Sequence, residues 1–242
     1  MTRRLVVLPD RAAVETAVAS GVLDIIVDAT FARGRADVVV TGGTVGIGSL
    51  AAIARDPRAK SIAWNLVHLW WGDERFVPVG DADRNEGQAA TALIEQIEIP
   101  TSNIHTFPAD DGQGLNAARD IFRAHLRDEL GNHPRFDLVL NGIGPDGHVA
   151  SLFPGLPHGD KGDLVIAVDN SPKPPPHRLS LTFEALNGGR HVWVVAAGED
   201  KADAISRLMS DSPEDVTPAT ALHGTEETVV FADSAAASLV QP

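Results

Sequence analysis

Short runs of β-branched and other apolar residues alternate along this chain with longer alanine-rich segments of helical period, and this alternation restricts the fold more than any other feature. Strand-length runs separated by helices pair in parallel through crossovers, into a sheet covered by helices. Residues 5–8 read as a buried strand, and Asp10 caps a helix running to about residue 33. Residues 36–41 (ADVVVT) form the next strand, and Gly42-Gly43-Thr44 leads into a helix ending near residue 55. Residues 65–71 read as a third strand, residues 86–97 as a helix with Ile94 and Ile97 on its apolar face, and residues 115–130 as another helix. Residues 136–141 (FDLVLN) are a strand that ends in a glycine-rich turn. Further on, residues 164–169, 178–182, 190–197 and 228–232 are strand-like and residues 200–210 helical. The run Ser171-Pro172-Lys173-Pro174-Pro175-Pro176 fits neither a helix nor a central strand and predicts a stiff, exposed connection. There is no fixed-period repeat and no linker. The expectation is one α/β domain over residues 1–242, an open, mostly parallel twisted sheet with helices on both faces, binding its ligand beyond the carboxyl ends of the strands.

Composition narrows the partners. The apolar share is 43% of 242 residues, enough for a sizeable core, while 20 Lys and Arg against 33 Asp and Glu leave a net charge of −13. Such a body repels nucleic-acid phosphates and anionic lipid, so neither nucleic acid nor membrane is expected as a partner, and an anionic ligand needs a local basic pocket. The absence of cysteine excludes disulfides, thiolate metal sites and a Cys nucleophile. Arg3-Arg4 precedes only four apolar residues before Pro9-Asp10, too few for an export signal, and no run of about 18 apolar residues occurs, so a cytoplasmic protein is expected.

Three loops at strand ends carry unusual residues. Gly42-Gly43-Thr44 lets the backbone approach a ligand and presents free N–H groups at a helix start; it reads either as a phosphate cradle or as a tight turn capped by Thr44. It lacks the Gly-Lys-Ser/Thr of a Walker A loop. Gly72-Asp73-Glu74-Arg75-Phe76-Val77-Pro78 sets three charges directly after Trp70-Trp71, charges that do not read as core. An arginine beside carboxylates at a strand end suits a phosphate or a developing oxyanion, and the bland alternative is a surface ion pair. In Asn141-Gly142-Ile143-Gly144-Pro145-Asp146-Gly147-His148 the glycines spell G-x-G-x-x-G with Asp169 about 20 residues on, yet Pro145 interrupts the turn and Pro154 follows too soon for the long helix of a dinucleotide site. A histidine held among glycines and an aspartate at a strand end is placed to act as a general base. Arg178 and Lys201 each read alone as solvated charges, but both could face the same pocket. No G-x-S-x-G elbow occurs, which argues against a serine hydrolase.

At these loops the sequence resembles the 6-phosphogluconolactonase family, through Gly42-Gly43-Thr44, Trp71-Gly72-Asp73-Glu74-Arg75-Phe76-Val77-Pro78, Asn85, and the stretch from Gly142 through His148 to Pro154-Gly155. The resemblance spans nearly the whole chain. It implies a Rossmann-like open sheet, hydrolysis of 6-phospho-D-glucono-1,5-lactone and no required organic cofactor; no metal-binding residues are expected. It puts the family's catalytic histidine on His148 and its arginine on Arg75. Phosphate binding falls on Gly42, Gly43, Thr44, Arg178 and Lys201, and Asp73 or Asp146 is expected to orient Arg75 or His148. Arg75 is left with two roles, anchoring phosphate or facing the oxyanion. The family commonly has Asp-Ser-Asn where this chain has Asp83-Arg84-Asn85. The partner implied is a small sugar-phosphate lactone bound by a monomer or weak homo-oligomer. The alternative is a glucosamine-6-phosphate deaminase or isomerase, similar at the same loops; the glutamate that partners the histidine in ring opening there falls on Phe153, which cannot relay a proton.

Overall fold

A computed structural model describes residues 3–240. In chain order these form β1 (Arg4–Leu8), α1 (Arg11–Arg33), β2 (Ala36–Val40), α2 (Gly43–Arg55), β3 (Val67–Trp71), β4 (Asp73–Arg75), α3 (Asn85–Ala92), β5 (Ile104–His105) and α4 (Leu115–Leu130). There follow β6 (Leu138–Gly142), β7 (Val165–Val168), β8 (Arg178–Leu181), α5 (Phe183–Leu186), β9 (His191–Ala196), α6 (Ala202–Met209) and β10 (Glu227–Asp233). Seven strands make one parallel sheet in the order β1-β10-β9-β6-β2-β3-β5, and β4, β8 and β7 make a small antiparallel sheet beside it. No helix among the described residues is long and apolar enough to cross a membrane.

The central strands carry apolar side chains on both faces because both are covered. Val38, Val39 and Val40 are all buried, and burying each contributes roughly 1.5–3 kcal/mol. Registers of Val40 with Trp71 and of Leu140 with Trp193, together with strand alternation, place both tryptophans on one face, where Gly21 of α1 lies against the Trp193 ring. Trp70 points to the opposite face, toward Phe122 of α4 at 6.4 Å between ring centres. Asp10 caps α1 as expected, its carboxylate accepting from the Ala13 N–H at 2.9 Å.

Four readings are corrected. The first strand lies at the sheet edge and is only half buried, with Val7 exposed. The helix after residue 85 stops at Ala92, because Leu93 leaves helical geometry (φ −138°, ψ −54°); Ile94 and Ile97 still pack on the core from the turn that follows. The segment after Trp71 is strand β4 rather than a loop, and its Asp73 and Glu74 are buried. Strands β7 and β8 leave the main sheet to pair with each other and with β4.

Candidate active site

Where β2 ends, the chain passes through Thr41 and Gly42 into α2. Gly43 has φ +79°, a left-handed conformation open to glycine, and Gly42 at the N-cap has no side chain to accept from the first turn, so those N–H groups stay open to an external anion. Gly42 is also a point of close approach: a Cβ there would overlap the Asn85 carboxamide at the start of α3. Asn85 in turn donates to the Asp73 carbonyl at 2.9 Å and accepts from Arg75.

Strand β4 positions three charges in three ways. The Asp73 carboxylate accepts from Ser151 Oγ at 2.7 Å and faces Arg178 Nη1 at 3.9 Å, so it supports Arg178 rather than Arg75 or His148. The Glu74 carboxylate accepts three backbone N–H groups, from Arg75 (2.8 Å), Asn85 (2.7 Å) and Glu86 (2.9 Å), and thereby caps α3 from outside the helix. Burial raises the Glu74 carboxyl above its ordinary range; those hydrogen bonds and the charge of Arg84 oppose the shift. Arg75 donates to the Asp83 carbonyl at 3.2 Å and to Asn85, while its buried Nε has no acceptor among the described residues.

The antiparallel register sets Arg75 opposite Arg178. Arg178 is held by the proline loop, donating to the carbonyls of Lys173 (3.2 Å), Pro174 (3.0 Å) and Pro175 (3.1 Å). Burial draws Arg178 below its ordinary value, partly offset by Asp73.

Beyond β6 the glycine-rich turn closes on itself: Gly144 N–H donates to the His148 carbonyl and Gly147 N–H to the Gly144 carbonyl, both at 2.9 Å. A Cβ at Gly144 would overlap the His148 ring and the Asp146 carboxylate, which are paired with Nδ1 2.5 Å from Oδ1. Lys173 brings its ammonium within 3.5 Å of the same oxygen. Burial alone would raise the Asp146 carboxyl, but the hydrogen bond and charge of His148, with the charge of Lys173, outweigh it and hold the group well below the usual carboxylate range. The Asp146 carboxylate thus engages Nδ1, with Lys173 Nζ 3.3 Å from the same nitrogen, while Nε2 has no hydrogen-bond partner among the described residues. Phe153 is buried with its ring 4.5 Å from that of His148.

These elements enclose a cleft of about 290 Å³ past the strand ends, lined by Gly42, Gly43, Asp73, Arg75, Asn85, His148, Lys173, Arg178 and Lys201 among others. Thr44 lines an adjoining depression that shares Gly42, Gly43 and Lys201 with the cleft. Asp146 sits behind His148. A larger hollow of about 650 Å³ beside Ile47, Val79 and Ala90 contains no histidine and lies off the strand ends. Arg84 borders that hollow, donating to the Phe107 carbonyl at 2.8 Å and to Glu86 at 2.5 Å, so the position that departs from Asp-Ser-Asn has a structural role. Lys173, Ser151 and the capping role of Glu74 escape sequence reasoning. Only Lys173 left a signal, as a single cation within a proline run that leads into Arg178.

Residues 9–231 match the family described as glucosamine-6-phosphate isomerases/6-phosphogluconolactonase. A 6-phosphogluconolactonase of Streptomyces coelicolor is 42% identical to this chain, covering 98% of it and 94% of the relative. One from Mycobacterium leprae is 41% identical over 89% of each chain. The crystal structure of the Thermotoga maritima 6-phosphogluconolactonase covers 96% of this chain and 100% of its own with a TM-score of 0.84 at 28% identity. Because the likeness runs from the first helix to the last strand and takes in all three strand-end loops, the chain belongs to the glucosamine-6-phosphate isomerase/6-phosphogluconolactonase family.

Proposed function

We propose that the chain hydrolyses 6-phospho-D-glucono-1,5-lactone to 6-phosphogluconate, a step of the oxidative pentose phosphate pathway, in the cleft around His148. The activity is the one named for its relatives in Streptomyces coelicolor and Mycobacterium leprae. The observation that carries the mechanism is the His148–Asp146 pair at 2.5 Å, which engages Nδ1 and leaves Nε2 without a partner in a cleft lined by Arg75, Lys173, Arg178 and Lys201. The 6-phosphate lies on the open N–H groups of Gly43 and Thr44, with Gly42 giving close approach and Arg178 and Lys201 supplying charge. His148 takes a proton from water, water adds to C1, and the ring oxygen leaves with the proton that His148 returns. Arg75 faces the oxyanion, a role supported by its unpartnered Nε and by the anchoring of its Nη1 on Asp83 and Asn85.

Phe153 supports hydrolysis over deamination, because a buried phenyl ring packs on the imidazole where the ring-opening enzymes place a proton relay. The same reading takes residues 1–242 as one domain, since β1 and β10 pair the first strand with the last. It treats the protein as a cytoplasmic monomer or weak homo-oligomer. Nucleic acid is no partner for a chain of net charge −13.

The test is proton release on adding freshly generated lactone. Wild-type protein should exceed the spontaneous rate, His148→Ala should lose roughly 10²–10⁴ in turnover, and Arg75→Gln roughly 10²–10³. Release no faster than the spontaneous rate, or ammonia formed from glucosamine 6-phosphate instead, overturns the assignment.

A further inference from the structure

A second cluster of titratable side chains lies on the α4 face of the sheet, at its β5 edge and away from the cleft. His68 of β3, His105 of β5 and His125 of α4 form a chain of imidazoles, with His68 Nδ1 2.9 Å from His105 Nε2 and His105 Nδ1 2.8 Å from His125 Nε2. One helical turn beyond His125, Glu129 brings a carboxylate oxygen to the same place; the donor atoms of His68, His105 and Glu129 all lie within 4.8 Å of one another. None of these residues borders the cleft or takes part in the proposed hydrolysis.

We propose that His68, His105 and Glu129 bind one divalent transition-metal cation of the zinc class. The donor set, two imidazoles and a carboxylate, suits zinc with one position left for water. Two imidazole nitrogens each about 2.0–2.1 Å from a common ion stand about 3.3 Å apart at a tetrahedral angle, so a spacing of 2.9 Å needs only a small opening. The outer nitrogen of His105 already meets His125, the arrangement in which a ligating histidine donates its other N–H to a neighbour that fixes its tautomer. The His105 ring is held from the side by Trp70, stacked at 3.8 Å between centres.

Protons balance without loss when the imidazoles start neutral. The ion takes the lone pairs of His68 Nδ1 and His105 Nε2; His68 shifts the proton of its hydrogen bond from Nδ1 to Nε2, the His105 proton resides on Nδ1, and His125 accepts it through Nε2 while keeping its own proton on Nδ1. Glu129 is exposed and offers the way in. Its present contacts to Arg35, at 3.3 and 3.4 Å, are long, and Arg35 keeps its bidentate pair with Asp37 at 2.8 and 2.9 Å when Glu129 turns to an ion.

Titrating Zn²⁺ into the metal-free full-length protein by calorimetry tests this, with Co²⁺ absorption as a second readout of tetrahedral nitrogen and oxygen ligation. We expect one site, a raised melting temperature with Zn²⁺, at least about tenfold weaker binding in His68→Gln and in Glu129→Gln, and roughly 10–100-fold weaker binding in His125→Phe. Lactone turnover of Glu129→Gln should match wild type. The exposed Glu129 keeps the test decisive should His68→Gln fail to fold. No zinc uptake, uptake indifferent to Glu129→Gln, or uptake abolished by His148→Ala instead, overturns the proposal; none of these outcomes bears on the hydrolase reading.

Discussion

At the scale of single residues, the site depends on an atom that is missing. Gly144 has no Cβ because the His148 ring and the Asp146 carboxylate occupy that space. Gly144→Ala should leave the fold intact, with unchanged circular dichroism, and push the imidazole aside by an ångström or so, lowering kcat by about 10²-fold. Asp146→Asn tests the other half of the pair. Because its neighbours hold Asp146 well below the usual carboxylate range, the wild-type group stays ionised as pH falls through the values at which ordinary carboxylates protonate. The variant should therefore lose turnover at pH 5 and pH 8 alike, by roughly 10²–10⁴; a loss confined to high pH in a kcat profile would mean that the carboxylate does not hold the tautomer. The sequence made this pair legible because its members are two residues apart in a glycine turn. It could not pair Asp73 with Ser151, 78 residues away, or with Arg178, because only the folded sheet brings β4 and β8 together.

At the scale of elements, the same limit explains the misread segment. Three charges after Trp71 read as solvated loop, since nothing local compensates for burying them. The compensation is tertiary: β8 pairs with β4, and the start of α3 turns its N–H groups onto Glu74. A carboxylate that caps a helix from a neighbouring strand has no fixed spacing, so no capping pattern betrays it, whereas Asp10 three residues before Ala13 is plain. Glu74→Ala leaves three N–H groups without their acceptor, while Arg84 keeps its closer pair with Glu86, and should cost about 2–4 kcal/mol in urea unfolding. Turnover should fall as well, because Asn85, which anchors Arg75, is the first residue of α3. Strand β7 taught the same lesson: its apolar run was legible, but its partner was not. The long helices α1 and α4 need no tertiary information, because their apolar period is carried by the segment itself.

At the scale of the whole molecule, the cleft past the strand ends and the α4 face of the sheet differ in their electrostatics. Beyond the strand carboxyl ends, Arg75, Lys173, Arg178 and Lys201 gather around one cleft of an acidic protein. On the α4 face the imidazoles of His68, His105 and His125 form a chain, and burial lowers His68 and His105. Burial, and then the neighbouring His125 and His68, push His105 down to about 4 from its ordinary 6.5. The groups acting on it are His68 on β3, His125 and Glu129 on α4, and Arg35 just before β2; of these, only the Glu129 carboxylate favours the charged form. The sign of the linkage follows. Above pH 6.5 His105 is neutral whether the chain is folded or not, and it leaves stability independent of pH. Between pH 6.5 and about 4 the unfolded chain takes up a proton that the folded chain refuses, so the folded state loses ground as pH falls, by up to about 1.4 kcal/mol per unit. Carboxylates elsewhere add their own acid sensitivity, which a variant at this one position subtracts. His105→Phe keeps the stack on Trp70 and cannot titrate, so the stability difference between wild type and variant, from urea unfolding at pH 7.5, 6, 5 and 4.5, should narrow steadily with acid. A constant difference across that range would mean that His105 takes up its proton in the folded sheet as readily as in the unfolded chain, and that burial beneath α4 does not keep the imidazole neutral.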